Sequence, residues 1–166
     1  MVDPRRAARY LEDKLPKRDR ILVFDGGHSL MVTCQTVTSA SADSWSLGAD
    51  FGAVGQGLAI ALGACFARPG KRVTHLTADA SFIMNVADFD TAVSHNLPLT
   101  VFVFNDNAVG QERHDPVHKG FPTKYAEVRS RISRNWLLAL APRASESIGP
   151  MISARSTRRS PSKAAR

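Results

Sequence analysis

Apolar residues run almost unbroken through Leu99-Thr100-Val101-Phe102-Val103-Phe104, the pattern of a β-strand covered on both faces rather than one alternating between core and solvent. Residues 71–77 predict a second strand, with His75 inside it, and Ile21-Leu22-Val23-Phe24 a third, buried one. Helical spacing lies between them. Ala8, Leu11 and Leu15 share one face of a helix over residues 5–15, ended by Pro16. Residues 54–67 form a helix rich in Ala and Gly that can approach a sheet or another helix closely, with Arg68-Pro69-Gly70 as its stop. Residues 85–95 form another, with Val86, Phe89 and Val93 turned inward, stopping at Asn96-Leu97-Pro98. Residues 33–46 show neither period and read as loop. Strands alternating with helices predict an α/β fold: a doubly wound, mostly parallel sheet with helices on both faces.

That topology gives two acidic residues a shared address. Asp79 and Asp106 each follow a predicted strand, and one helix joins the two strands, so a right-handed crossover brings both carboxylates to the same sheet edge. Adjacent strands lie about 4.8 Å apart and magnesium takes oxygen donors at about 2.1 Å, so side chains from neighbouring strand ends can share one ion. Asp and Asn also follow strands as ordinary turn formers and helix caps, and spacing alone leaves both readings open. The Gly26-Gly27 turn sets His28 on the same edge, where open α/β sheets bind ligands.

Four ordered blocks narrow the choice: Val23-Phe24-Asp25-Gly26-Gly27-His28, then Asp50-Phe51-Gly52-Ala53-Val54-Gly55-Gln56-Gly57-Leu58, then Ala78-Asp79-Ala80-Ser81 with Phe82-Ile83-Met84-Asn85, then Asn96-Leu97-Pro98-Leu99 leading to Asn105-Asp106-Asn107-Ala108-Val109-Gly110. Over residues 5–128 they resemble the C-terminal thiamine diphosphate (TPP)-binding domain of the acetolactate synthase and benzoylformate decarboxylase group, whose signature is Gly-Asp-Gly, a spacer, then Asn-Asn. The resemblance implies that thiamine diphosphate and Mg2+ are the cofactors. It makes Asp79 and Asp106 side-chain metal ligands and Ala108 a backbone-carbonyl ligand. The diphosphate would receive N–H groups from Ala80 and Ser81 at a helix start, as such anions prefer. Gly52 and Val54 would read the aminopyrimidine and hold the cofactor bent, Asp106 and Gly110 would lie against the cofactor, and His28 would stand near its reactive end as a proton shuttle or substrate-acid ligand. The departures are Ala78 and Ala80 for the two glycines and Asp106 for the second Asn; Ala78 is tolerable only if that position does not need positive φ.

In this group two such α/β domains work together, so the resemblance also implies a pyrimidine-binding partner domain or subunit that supplies an activating Glu. The expected function is therefore that of a component, not active alone, of a 2-oxo acid decarboxylase or acetolactate synthase-like carboligase, acting on a small 2-oxo acid or acyl substrate in an oligomer. The alternative is a truncated, non-catalytic remnant or interaction module of the same fold, which Ala78, Ala80 and the C-terminal segment from residue 129, unlike the family pattern, favour.

Charge and composition change the picture mainly at the C-terminus. The net charge of +7 is uneven: residues 1–128 hold 13 Lys and Arg against 14 Asp and Glu, and residues 129–166 hold nine against one. Residues 129–166 are an Arg/Ser-rich basic segment too poor in large apolar residues to pack, and are expected to be a disordered tail. A solvated extension, a tether to nucleic acid or a membrane surface, and a truncated or frame-shifted end of the domain all remain open for it, the nucleic-acid reading being the less favoured. Cys34 and Cys65 lack any paired Cys-x-x-Cys spacing, which fits a reducing cytoplasm, and no stretch is apolar enough to span a membrane. His114 and His118 stand four apart, but Pro116 intervenes and no third zinc ligand is evident. His75 and His95 read as structural.

Overall fold

The computed structural model describes residues 3–15, 17–48 and 51–128; the expected basic tail lies outside the described residues. Helix α1 (Pro4–Lys14) starts where Asp3 Oδ1 accepts the Arg5 N–H at 2.8 Å and proline takes the first helical position. Strand β1 (Arg20–Phe24) follows, then α2 (His28–Thr33), β2 (Trp45–Leu47), α3 (Gly57–Ala67), β3 (Arg72–Ala78), α4 (Asp79–Met84), α5 (Phe89–Ser94), β4 (Leu99–Phe104) and α6 (Gly110–His118). The four strands form one parallel sheet in the order β2-β1-β3-β4. The chain leaves β1 toward β2 and returns to place β3 on the other side, so the order reverses between β1 and β3. Ligands in open α/β sheets bind at such a reversal, beyond the carboxyl ends of the strands.

Helices cover both faces. Leu22, Phe24 and Leu76 pack with Ala8 and Leu11 of α1 and Leu30 and Val32 of α2. On the opposite face, Ile21, Val23 and Val73 meet Ala61 and Cys65 of α3, and Leu58, Leu62, Phe82 and Ala92 close over Val101 and Val103. Fully burying each large side chain contributes about 2 kcal/mol. Helix α3 enters the sheet closely because Gly57 has no side chain: a Cβ there would lie 2.3 Å from the His75 ring. None of the described helices is long and apolar enough to cross a membrane.

Four expectations are corrected. The helix expected over 54–67 begins at Gly57, because Gly55 adopts φ 91 and breaks helical geometry. The helix expected over 85–95 is a 3-10 turn (Val86–Asp88) followed by the short α5, since Asn85 leaves the helical region at φ −126. Residues 33–46 are not all loop: Thr33 ends α2 and Trp45 opens β2, an edge strand too short for a period to register. Strand β4 is half-buried along its length rather than covered on both faces, being the sheet's other edge among the described residues.

Candidate cofactor site

Beyond the carboxyl ends of β1, β3 and β4 lies an open cleft of roughly 700 Å³. His28, Gly52, Val54, Ala80, Ser81, Asp106, Ala108 and Gly110 all line it. The ninth expected site residue, Asp79, is beneath this surface and wholly buried. The structure thus gathers residues 28 to 110 of the chain around one opening.

Asp79 begins α4 directly after β3, with Ala78 as the capping residue in extended conformation at φ −102, ψ 165. A side chain is compatible with that backbone, so replacing the first glycine of the Gly-Asp-Gly pattern by alanine strains nothing. Asp79 Oδ2 accepts the Asn107 N–H at 3.0 Å, and Asn107 takes the left-handed conformation (φ 58) that asparagine tolerates best among side-chain-bearing residues. Asp79 Oδ1 is buried and has no hydrogen-bond partner. Burial, and then the neighbouring Asp106 charge, push the Asp79 carboxyl up to about 6, and the Ala80 and Asn107 N–H groups offset only part of this. Asp106 Oδ1 accepts the Ala108 N–H at 3.2 Å and so shapes the turn carrying Ala108.

Two carboxylates side by side, one with a buried oxygen lacking any donor, form a donor set suited to a hard cation. Magnesium takes oxygen ligands, and a positive ion would relieve both the desolvation and the repulsion. The Ala80 and Ser81 backbone continues from Asp79 into the first turn of α4, at the wall of the cleft.

At the other side, Gly27 (φ 83) turns the chain into α2 and presents His28, which is exposed. Its ring lies 5.1 Å from that of His114 of α6, tilted by 42°. Gly110 makes room between them and the acids: a Cβ there would fall 2.9 Å from Asp106 Oδ2 and 3.0 Å from His28 Nδ1. Val54 leans on the Gly26-Gly27 turn, its Cγ1 standing 3.2 Å from where a Gly26 Cβ would be. Gly52 takes φ 60, with open space around the position of a missing Cβ.

Sequence reasoning missed two residues that organise this edge. Asp25 is buried and accepts N–H groups from Gly26 and Gly55, both at 2.9 Å, and the Thr77 hydroxyl at 3.0 Å. Asn85 donates its amide to the Gly55 carbonyl. Both stand inside the quoted blocks, but an Asp after a strand and an Asn after a helix read first as turn residues. His75 is structural, as expected: it is fully buried, with Nδ1 3.2 Å from the Val23 carbonyl, and desolvation lowers its pKa.

Comparison with known proteins bears on the same residues. The family model described as "Thiamine pyrophosphate enzyme, C-terminal TPP binding domain" matches residues 25–146. Acetolactate synthase 2, chloroplastic, of Zea mays is 35% identical over 109 residues, 66% of this chain and 17% of that protein. The 2-hydroxyacyl-CoA lyase 2 of Bos taurus is 34% identical over 105 residues, 63% of this chain and 16% of that protein. The chain therefore spans about a sixth of the length of these relatives. Among solved structures, the thiamine diphosphate-dependent 4-hydroxybenzoylformate decarboxylase of Rhodococcus jostii RHA1 has the same fold, with a TM-score of 0.71 at 21% identity over 87% of this chain and 26% of that one.

Proposed function

The chain belongs to the thiamine pyrophosphate enzyme family, as its C-terminal TPP-binding domain, and from that premise we propose that it holds thiamine diphosphate through a magnesium ion as the cofactor-binding part of a 2-oxo acid decarboxylase or acetolactate synthase-like carboligase. One observation carries the metal: the wholly buried Asp79, whose Oδ1 has no hydrogen-bond partner and whose carboxyl is raised by burial and then by the adjacent Asp106. Asp79, Asp106 and the Ala108 carbonyl would hold the ion. The Ala80 and Ser81 N–H groups would receive the diphosphate, and Gly52, Val54 and Gly110 would border the rest of the cofactor.

Bound thiamine diphosphate supplies a carbon nucleophile and an electron sink for a carbonyl substrate. The chain's own part is to bind, orient and shield. Asp79 and Asp106 would hold the charged end through the metal, Val54 gives an apolar wall against the Gly26-Gly27 turn, and the exposed His28 imidazole can hold or pass a proton at the opening. The acid that activates the cofactor would come from a pyrimidine-binding partner domain, as an activating Glu, in an oligomer acting on a small 2-oxo acid or acyl substrate. Against the remnant reading, the extended backbone at Ala78 accommodates alanine at that position.

Calorimetric titration with thiamine diphosphate, with and without magnesium, tests this. Magnesium-dependent binding that Asp79→Ala weakens more than about 100-fold supports the site. Absence of binding up to millimolar cofactor leaves the remnant.

A further inference from the structure

Gly55 is gripped from both sides. Its N–H donates to Asp25 Oδ1 at 2.9 Å in the interior, and its carbonyl accepts from the Asn85 side-chain amide. It has φ 91, and a Cβ there would lie 3.2 Å from Met84 Cβ and 3.3 Å from Asn85 Nδ2. The conformation favours glycine at this position, and a side chain would crowd Met84 and Asn85.

The two gripping residues are themselves anchored. Asp25 Oδ1 also accepts the Gly26 N–H at 2.9 Å, and Oδ2 accepts the Thr77 hydroxyl at 3.0 Å, tying it to the ends of β1 and β3. Asn85 caps α4, the helix that begins with Asp79. Residues 51–56 belong to no helix or strand, so no ladder of backbone bonds sets their place. The single residue Gly55 therefore joins three segments: the turn bearing His28, the segment bearing Gly52 and Val54, and the helix bearing Asp79, Ala80 and Ser81.

We infer that Asp25 and Asn85 are positioning residues, clamping Gly55 so that the Gly52 to Val54 segment stands at a fixed place relative to the metal and diphosphate end of the site. The inference rests on the cofactor reading above. A clamp of this kind acts on a ligand that spans both ends and is indifferent to one that occupies only the metal end.

Two probes separate these cases. Inorganic diphosphate with magnesium engages only the metal end, whereas thiamine diphosphate with magnesium reaches both. Each is titrated calorimetrically into the full chain and into Asn85→Ala and Asp25→Asn. The expected result is a loss of about tenfold or more in thiamine diphosphate affinity, with inorganic diphosphate affinity held within about twofold. Asn85 is only half-buried, so its variant keeps the test available should Asp25→Asn fail to fold. Both affinities falling in step, or neither changing in Asn85→Ala, overturns the clamp while leaving the cofactor reading intact. A wild-type chain that binds neither probe overturns the cofactor reading and the clamp with it.

Discussion

The two ends of the sheet treat a carboxylate in opposite ways. At the amino end, Glu12 of α1 meets Arg20 Nη2 at 2.6 Å and Lys17 Nζ at 3.0 Å and also accepts from the Thr38 hydroxyl, with the Arg20 side chain 1% exposed. Burial pushes the Glu12 carboxyl up, but hydrogen bonds from Thr38, Arg20 and Lys17 outweigh it and hold it at about 2. At the carboxyl end, Asp79 has a second acid for a neighbour, one oxygen without a donor, and a carboxyl raised to about 6. Burial is part of the difference, since Asp79 is wholly buried and the Glu12 side chain keeps 11% exposure. The larger difference is whether the protein supplies the cation: Glu12 has two, and Asp79, near a topological reversal, has none, which is what the proposed magnesium ion would supply.

The amino end should break as structure. Glu12→Gln leaves the Arg20 guanidinium buried against a neutral group and is expected to cost about 3 kcal/mol in urea unfolding, with thiamine diphosphate affinity unchanged. Because the folded pKa of Glu12 is depressed from 4.5 to about 2, its contribution is complete above pH 4.5 and disappears as the pH falls through 2. Unfolding midpoints of wild type and Glu12→Gln should therefore converge toward pH 2.

Smaller effects sharpen the contrast. Gly57→Ala would force a Cβ against the fully buried His75, which cannot retreat, and should destabilise by about 2 kcal/mol in the same measurement. Ala78→Gly, which restores the glycine of the family pattern, should alter thiamine diphosphate affinity by less than about twofold, because Ala78 already sits in an extended conformation open to any residue.

The strands around Ile21, Val73 and Val101 were legible because their apolar runs admit few other structures, and with them came the α/β fold and the meeting of Asp79 with Asp106. Strand β2 was not, since three residues with an exposed Trp45 carry no period. The broken helix after Met84 was hidden for a different reason: Val86, Phe89 and Val93 keep helical spacing while Asn85 turns aside to reach Gly55. The site residues came from motif order, and all but Asp79 line one cleft. Asp25 was invisible because its burial, and the 30-residue reach to Gly55, exist only in three dimensions.

Thermal melting of wild type and Asp79→Asn at pH 8, with and without magnesium and thiamine diphosphate together, tests the central claim most directly. The folded pKa of Asp79 is raised from 3.8 to about 6, so its ionisation costs the metal-free fold nothing below pH 3.8 and its full amount above about pH 6. Asparagine removes that cost, and the account predicts that Asp79→Asn alone is the more stable by roughly 3 kcal/mol, while only wild type is shifted upward by cofactor and metal. A variant that melts below wild type in the absence of both, or that gains as much from them, would contradict it.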